Sequence, residues 1–178
     1  MTERFQYRLT TAQKNEIAEN LVDILQKNKD ITDLTRSFIG NWILTVAVEK
    51  RKAFFDVWDI VLKNYLPTKR PILFRACKRI NKCGKISSFT GNLNSAKRFC
   101  DAKGLVLVCD TNETLQFEEE FYKKGDYRHT FYPLVDVLKK AKDSDGWGFS
   151  ERLLENYAGE DEYIMRIDIE NLHSLKWV

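Results

Sequence analysis

Apolar residues return at helical spacing three times before Pro67, and after it they fall into short runs of strand length. Ile17, Leu21, Ile24 and Leu25 share one face of a helix that opens at Thr10, where Gln13 stands three residues on in a capping-box arrangement. A second helix is predicted from Asp33, with Leu34, Phe38, Trp42 and Val46 at its apolar spacing and Ile43, Leu44 and Val48 widening that face. Phe54, Val57, Trp58, Val61 and Leu62 predict a third, closed by Pro67. The large aromatic residues of this part read as core.

Beyond Pro67 the period changes. Residues Pro71 to Cys77 predict a short strand with Arg75 among apolar neighbours, a position that asks for an anionic partner. Lys85 to Thr90 predicts a second strand. Asn92 or Asn94 then caps a helix with Ala96 and Phe99 inward. Gly104 to Cys109 is the most apolar run and is expected to be the central strand, and a helix is predicted over Tyr132 to Lys142 on Leu134, Val137, Leu138 and Ala141. Asp143 to Gly148 is rich in turn residues, with Trp147 between glycines. Tyr163 to Glu170 and His173 to Val178 predict two last strands. The expectation is one α+β domain over residues 1–178, with a helical N-terminal part (1–66) and a strand-rich core (67–178).

A chain of 178 residues can bury a core of its own. No basic start followed by an apolar stretch is present, and no apolar run reaches membrane length, so a cytoplasmic protein is expected. Four cysteines without a Cys-x-x-Cys pair, and two distant histidines, speak against zinc, and no other metal is implied. Free thiols follow from the absence of an export signal. Charge is unevenly spread: Lys63 to Lys103 holds eleven basic residues and one acid, Asp101, whereas acids predominate from Asp110 to Glu162. Such a basic segment suits an anionic ligand, either a dinucleotide or a nucleic acid, and Lys78, Arg79, Lys82 and Lys85 are its candidate phosphate contacts.

Near the C-terminus stands Gly159-Glu160-Asp161-Glu162, ahead of an alternating apolar run. Alternation points Glu160 and Glu162 the same way, as a pair of carboxylates at a strand edge. Such a pair can divide acid/base and cation-stabilising work. An acidic solvated turn is the plainer alternative.

Arg75 on a strand, Ser88-Phe89-Thr90 at a strand end before a helix, and the late Glu160-x-Glu162 turn occur in the order that resembles the mono-ADP-ribosyltransferase family, in its arginine, serine, glutamate class. Leu73-Phe74-Arg75-Ala76 is similar to the family's first-strand arginine, and Ala96 and Phe99 stand at the offsets that follow its Ser-Thr-Ser element. Ala76 replaces a frequent Gly, and Phe89-Thr90 replaces Thr-Ser. The layout also resembles bacteriophage and bacterial toxin-like members.

The resemblance implies a split β-sandwich of two small, mostly antiparallel sheets with NAD+ as co-substrate in the cleft. It implies catalytic Glu162, Glu160, Arg75 and Ser88, and cofactor contacts from Arg75, Ala76, Ser88, Thr90, Phe99 and Glu162. Arg75 would hold the pyrophosphate, Glu162 the ribose, and Ser88 would position Glu162, while Glu160 would serve the acceptor. A protein arginine is the favoured acceptor and an RNA or DNA base the alternative; a module that binds NAD or nucleic acid without turnover is a further one. A toxin or phage effector would imply a neutralising partner.

Overall fold

A computed structural model describes residues 7–46, 50, 52–78, 86–99, 104–115, 130–143, 155–157, 159–166 and 172–176. The chain divides into two compact units, residues 1–64 and 65–178.

The first unit is helical: α1 (Thr11–Gln26), α2 (Asp33–Leu44) and α3 (Lys52–Asn64). The capping box forms as the sequence predicts, with Thr10 Oγ1 accepting from the Gln13 amide at 3.2 Å and Gln13 Oε1 accepting from the Thr10 amide at 2.9 Å. Ile17, Leu21 and Ile24 of α1, and Val57, Trp58, Val61 and Leu62 of α3, are buried. Leu25 is only half-buried. Phe38, Trp42, Phe54 and Trp58 form an aromatic core, Trp58 meeting Phe38 and Trp42 edge-on at 5.4 and 5.5 Å. Asp23 of α1 is buried and is paired with Lys27 and Lys29. α2 stops at Leu44, earlier than the apolar spacing predicts, so Leu44 and Val46 are exposed. Val48 lies outside the described residues.

The second unit carries β1 (Ile72–Cys77), β2 (Ile86–Thr90), α4 (Leu93–Arg98), β3 (Leu105–Asp110), α5 (Thr111–Thr114), β4 (Thr130–Tyr132), α6 (Leu134–Asp143), β5 (Glu162–Arg166) and β6 (His173–Lys176). Its strands pair antiparallel throughout, in the order β4-β5-β2-β1-β3-β6. The unit is α+β. β3 therefore lies second from one edge, where β1 and β6 flank it, and not at the centre. Its apolar run reflects burial rather than rank, since Leu107 and Cys109 turn toward the core.

The two central strands, β1 and β2, share a single paired position, Phe74 opposite Thr90, whereas β1 and β3 pair over six and β2 and β5 over five. The sheet is thus two three-stranded halves joined at a narrow waist. One face carries the core: Leu73, Phe89, Leu107, Cys109, Phe131, Tyr163 and Met165, closed by Leu115 and Val135.

Tyr132 belongs to β4 and not to the following helix, because Pro133 separates the two elements. Thr111 at the start of α5 donates its hydroxyl to the Pro71 carbonyl, fastening the end of β3 to the start of β1. Residues 144–150, with the predicted turn-rich loop, lie outside the described residues, as do 167–171 and 177–178 of the predicted last strands. Among the described residues no helix is long and apolar enough to cross a membrane.

Candidate active site

β1, β2 and β5 are neighbours in the sheet and carry Arg75, Ser88 and Glu162. Alternation from Leu73 sets Arg75 on the core face, opposite Leu107 and 6.0 Å from the Phe89 ring. A guanidinium cannot stay among these apolar neighbours without an acceptor. Where a continued β1–β2 ladder would supply backbone donors, Arg75 Nη1 instead donates to the Ser88 carbonyl at 2.6 Å. Burial lowers the guanidinium's pKa from its ordinary value, with nearby Cys77 acting in the opposite sense. Arginine's very high intrinsic basicity still keeps it charged at neutral pH.

Ser88 and Glu162 lie on the other face. Thr90 sits opposite Glu162 and Ser88 opposite Ile164, so Ser88 and Glu162 are diagonal neighbours across the β2–β5 pair. The Ser88 hydroxyl donates to Glu162 Oε1 at 2.6 Å, a partly buried, charge-assisted bond. Arg75, Ser88 and Glu162 therefore form one chain, linked through the backbone carbonyl of Ser88 on one side and its hydroxyl on the other.

Thr90 has a different partner from its neighbour Ser88. Its buried hydroxyl donates to the Glu160 carbonyl at 2.6 Å and accepts from the Asn92 amide at 3.0 Å. It thereby pins the turn that carries Glu160 to the end of β2. The same turn is closed by the Glu160 amide donating to the Tyr157 carbonyl and the Gly159 amide to the Glu155 carbonyl, both at 3.1 Å. Glu160 and Glu162 are each half-buried.

Asn92, rather than Asn94, caps α4, accepting from the amides of Asn94 and Ser95. Ala96 is buried, as the helix pattern predicts. Phe99 is not inward: α4 ends at Arg98, Phe99 is its C-cap, and the ring is 66% exposed. Helical spacing loses its meaning one residue past the last turn. Ala76 is half-buried in β1, and Lys78 is exposed just after it. Arg79, Lys82 and Lys85 lie outside the described residues.

Tyr157 is a residue that sequence reasoning missed. It lies in the helical turn 155–157, and its phenol is raised above the ordinary value first by burial and then by Glu160 and Glu162. The ring therefore stands in the field of both carboxylates. No local spacing announces this, because the placement depends on how the turn folds back. Neither Cys77 nor Cys109 is in a disulfide. Among the described residues, no three His, Cys, Asp or Glu side chains gather as a metal site.

Chemically, the arrangement offers a held carboxylate, a second carboxylate on an adjoining turn and a guanidinium with donors beyond the one it gives Ser88. Of the protein-family models, curated proteins and solved structures compared with this chain, none matches it.

Proposed function

We propose that the chain is a mono-ADP-ribosyltransferase that cleaves the nicotinamide–ribose bond of NAD+ and transfers ADP-ribose to an arginine side chain of a protein. The observation that carries the reading is the 2.6 Å bond from Ser88 Oγ to Glu162 Oε1, joined through the Ser88 carbonyl to Arg75. Three residues far apart in the chain are linked through Ser88, with Arg75 on the core face of the sheet and Ser88 and Glu162 on the other. The narrow waist between β1 and β2 supports the split-sheet fold of the same family.

The residue types present suit the parts of NAD+, although Arg75 lies on the core face and Glu162 on the other. A pyrophosphate suits the planar fork of Arg75, whose five N–H donors exceed its one bond to Ser88. A ribose that develops oxocarbenium character as nicotinamide departs suits a fixed carboxylate, and Ser88 holds Glu162 in one orientation for that task. Exposed Phe99 is the aromatic surface available to a planar ring. The acceptor guanidinium nitrogen forms the new bond to the ribose carbon and gives up one proton, which Glu160 accepts. Nicotinamide leaves with the electron pair of the broken bond and is neutral.

The test is incubation of the purified protein with NAD+ labelled in its adenylate part, together with an arginine-rich polypeptide and cell lysate. Protease-sensitive label and stoichiometric nicotinamide are expected, both lost in Glu162→Gln. Label that survives protease and disappears with nuclease would replace arginine by a nucleobase as acceptor. Absence of transfer and of nicotinamide release in the parent protein would leave only a binding module.

A further inference from the structure

Asp161 stands between the two glutamates, yet its carboxylate has partners of its own. Because Thr90 pairs with Glu162, the next cross-strand position sets Gly91 against Asp161, and the Gly91 amide donates to the Asp161 carbonyl at 3.1 Å. Alternation places Asp161 with Tyr163 on the core side, away from Glu162. A Cβ built on Gly91 would collide with the Asp161 carboxylate, whose Cγ would lie 3.2 Å away, and would also touch the Tyr163 ring at 3.5 Å. The carboxylate thus occupies the slot that the absent side chain leaves. On its other side Asp161 Oδ1 meets Lys139 Nζ of α6 at 3.8 Å. The Asp161 backbone is left-handed, with φ 52°, a conformation that Asp and Asn tolerate better than most residues.

We propose that Gly91, Asp161 and Lys139 form a latch that sets the direction of Glu160 toward the acceptor. The inference rests on the transferase reading and deepens it by separating two controls within one Glu-x-Glu turn. Glu162 belongs to the β5 ladder and is held by Ser88. Glu160 precedes the ladder, so its direction follows the Asp161 torsion; Thr90 holds the Glu160 carbonyl, and the slot at Gly91 and the cation at Lys139 hold the Asp161 side of that torsion. The latch residues touch neither ribose nor acceptor; they are positioning residues. Release of the latch turns Glu160 while leaving Glu162 in place, so that water still captures the ribose and arginine no longer does so efficiently.

The experiment uses the full chain with NAD+ and an arginine-rich polypeptide, and measures nicotinamide release without acceptor beside label transfer with it. Asp161→Asn keeps the left-handed preference and removes the charge, Lys139→Met removes the cation, and Gly91→Ala fills the slot. Transfer is expected to fall about tenfold or more in Gly91→Ala, the scale on which small misplacements of a positioned group act. The half-exposed ion pair predicts a smaller loss, about threefold, in both Asp161→Asn and Lys139→Met, restored in the latter case by Lys139→Arg. Nicotinamide release without acceptor is expected to stay within about twofold of the parent in all of them. Transfer and release falling together, or neither changing, would overturn the latch. Should the parent protein cleave no NAD+, the transferase reading fails by itself. Hydrogen exchange at residues 159–162 then decides the latch: faster exchange in Gly91→Ala and Asp161→Asn supports it, and unchanged exchange overturns it.

Discussion

Ser88→Ala removes one hydroxyl and leaves the backbone that carries it. The Ser88 carbonyl still accepts from Arg75, and the β2–β5 ladder still pairs Ser88 with Ile164, so the strand has no reason to move. What is lost is the 2.6 Å donor to Glu162 Oε1. Charge-assisted hydrogen bonds contribute about 1.5–3 kcal/mol. Both side chains are only partly buried, so water replaces part of the bond and the lower end of that range applies. At about 1.4 kcal/mol per decade of rate, nicotinamide release should slow roughly tenfold. Ser87→Ala is the matched control: it makes the same change in the same strand, on the opposite face, across from Met165. The assay is nicotinamide release at saturating NAD+, read beside the thermal midpoint. Equal rates in the two variants would refute the assignment of Ser88 as the residue that positions Glu162. Equal loss in both would point to the strand and not the hydroxyl.

Thr90→Val keeps the side-chain shape but removes the donor to the Glu160 carbonyl and the acceptor for the Asn92 amide, and should cost about 1–3 kcal/mol in urea unfolding; an unchanged midpoint would show that the turn is not pinned there. In the helical unit, Asp23 lies below its ordinary value because Lys27 and then Lys29 hydrogen-bond its carboxylate. A depressed folded-state value means that the stabilising contribution is present above the unfolded carboxyl's range, near about 3.9, and is lost as pH falls through and below it. Stability measured by denaturant from pH 6 downward should therefore drop less steeply in Asp23→Asn than in the parent. Trp58→Ala empties the centre of the aromatic cluster and should cost about 3–5 kcal/mol; a loss under 1 kcal/mol, far below that range, would contradict the packing described. Burial, only partly opposed by a hydrogen bond with Thr114, pushes the Cys109 thiol up to about 11, so alkylation at pH 8 followed by peptide mapping should spare Cys109 until the chain is unfolded.

Features that depend on neighbours within a few residues were legible in the sequence. The capping box at Thr10 and Gln13, the three helices and the Asn92 cap rest on contacts at most four residues apart, which the order of side chains specifies. The order of Arg75, Ser88 and Glu162 was equally visible, since each is marked by its local strand or turn. Phe99 was misplaced because periodicity does not say where α4 stops, and Val46 for the same reason in α2. Apolar content makes Gly104 to Cys109 read as central, but it measures burial, whereas rank in a sheet follows from which strands find each other.

The sequence by itself indicated the three N-terminal helices, most of the later strands, the α+β class and the three residue types on which a transferase site would rest, but not β4 or α5. Tertiary structure alone decided that β1 and β2 meet at one pair, that Arg75 reaches Ser88 through a backbone carbonyl, and that Asp161 fits the slot of Gly91. Gly91 and Asp161 are 70 positions apart, and Ser88 and Glu162 are 74 apart. No local propensity spans such distances. Register across the β2–β5 ladder brings these residues together, and register is set by the burial of Phe89, Tyr163 and Met165 on the opposite face.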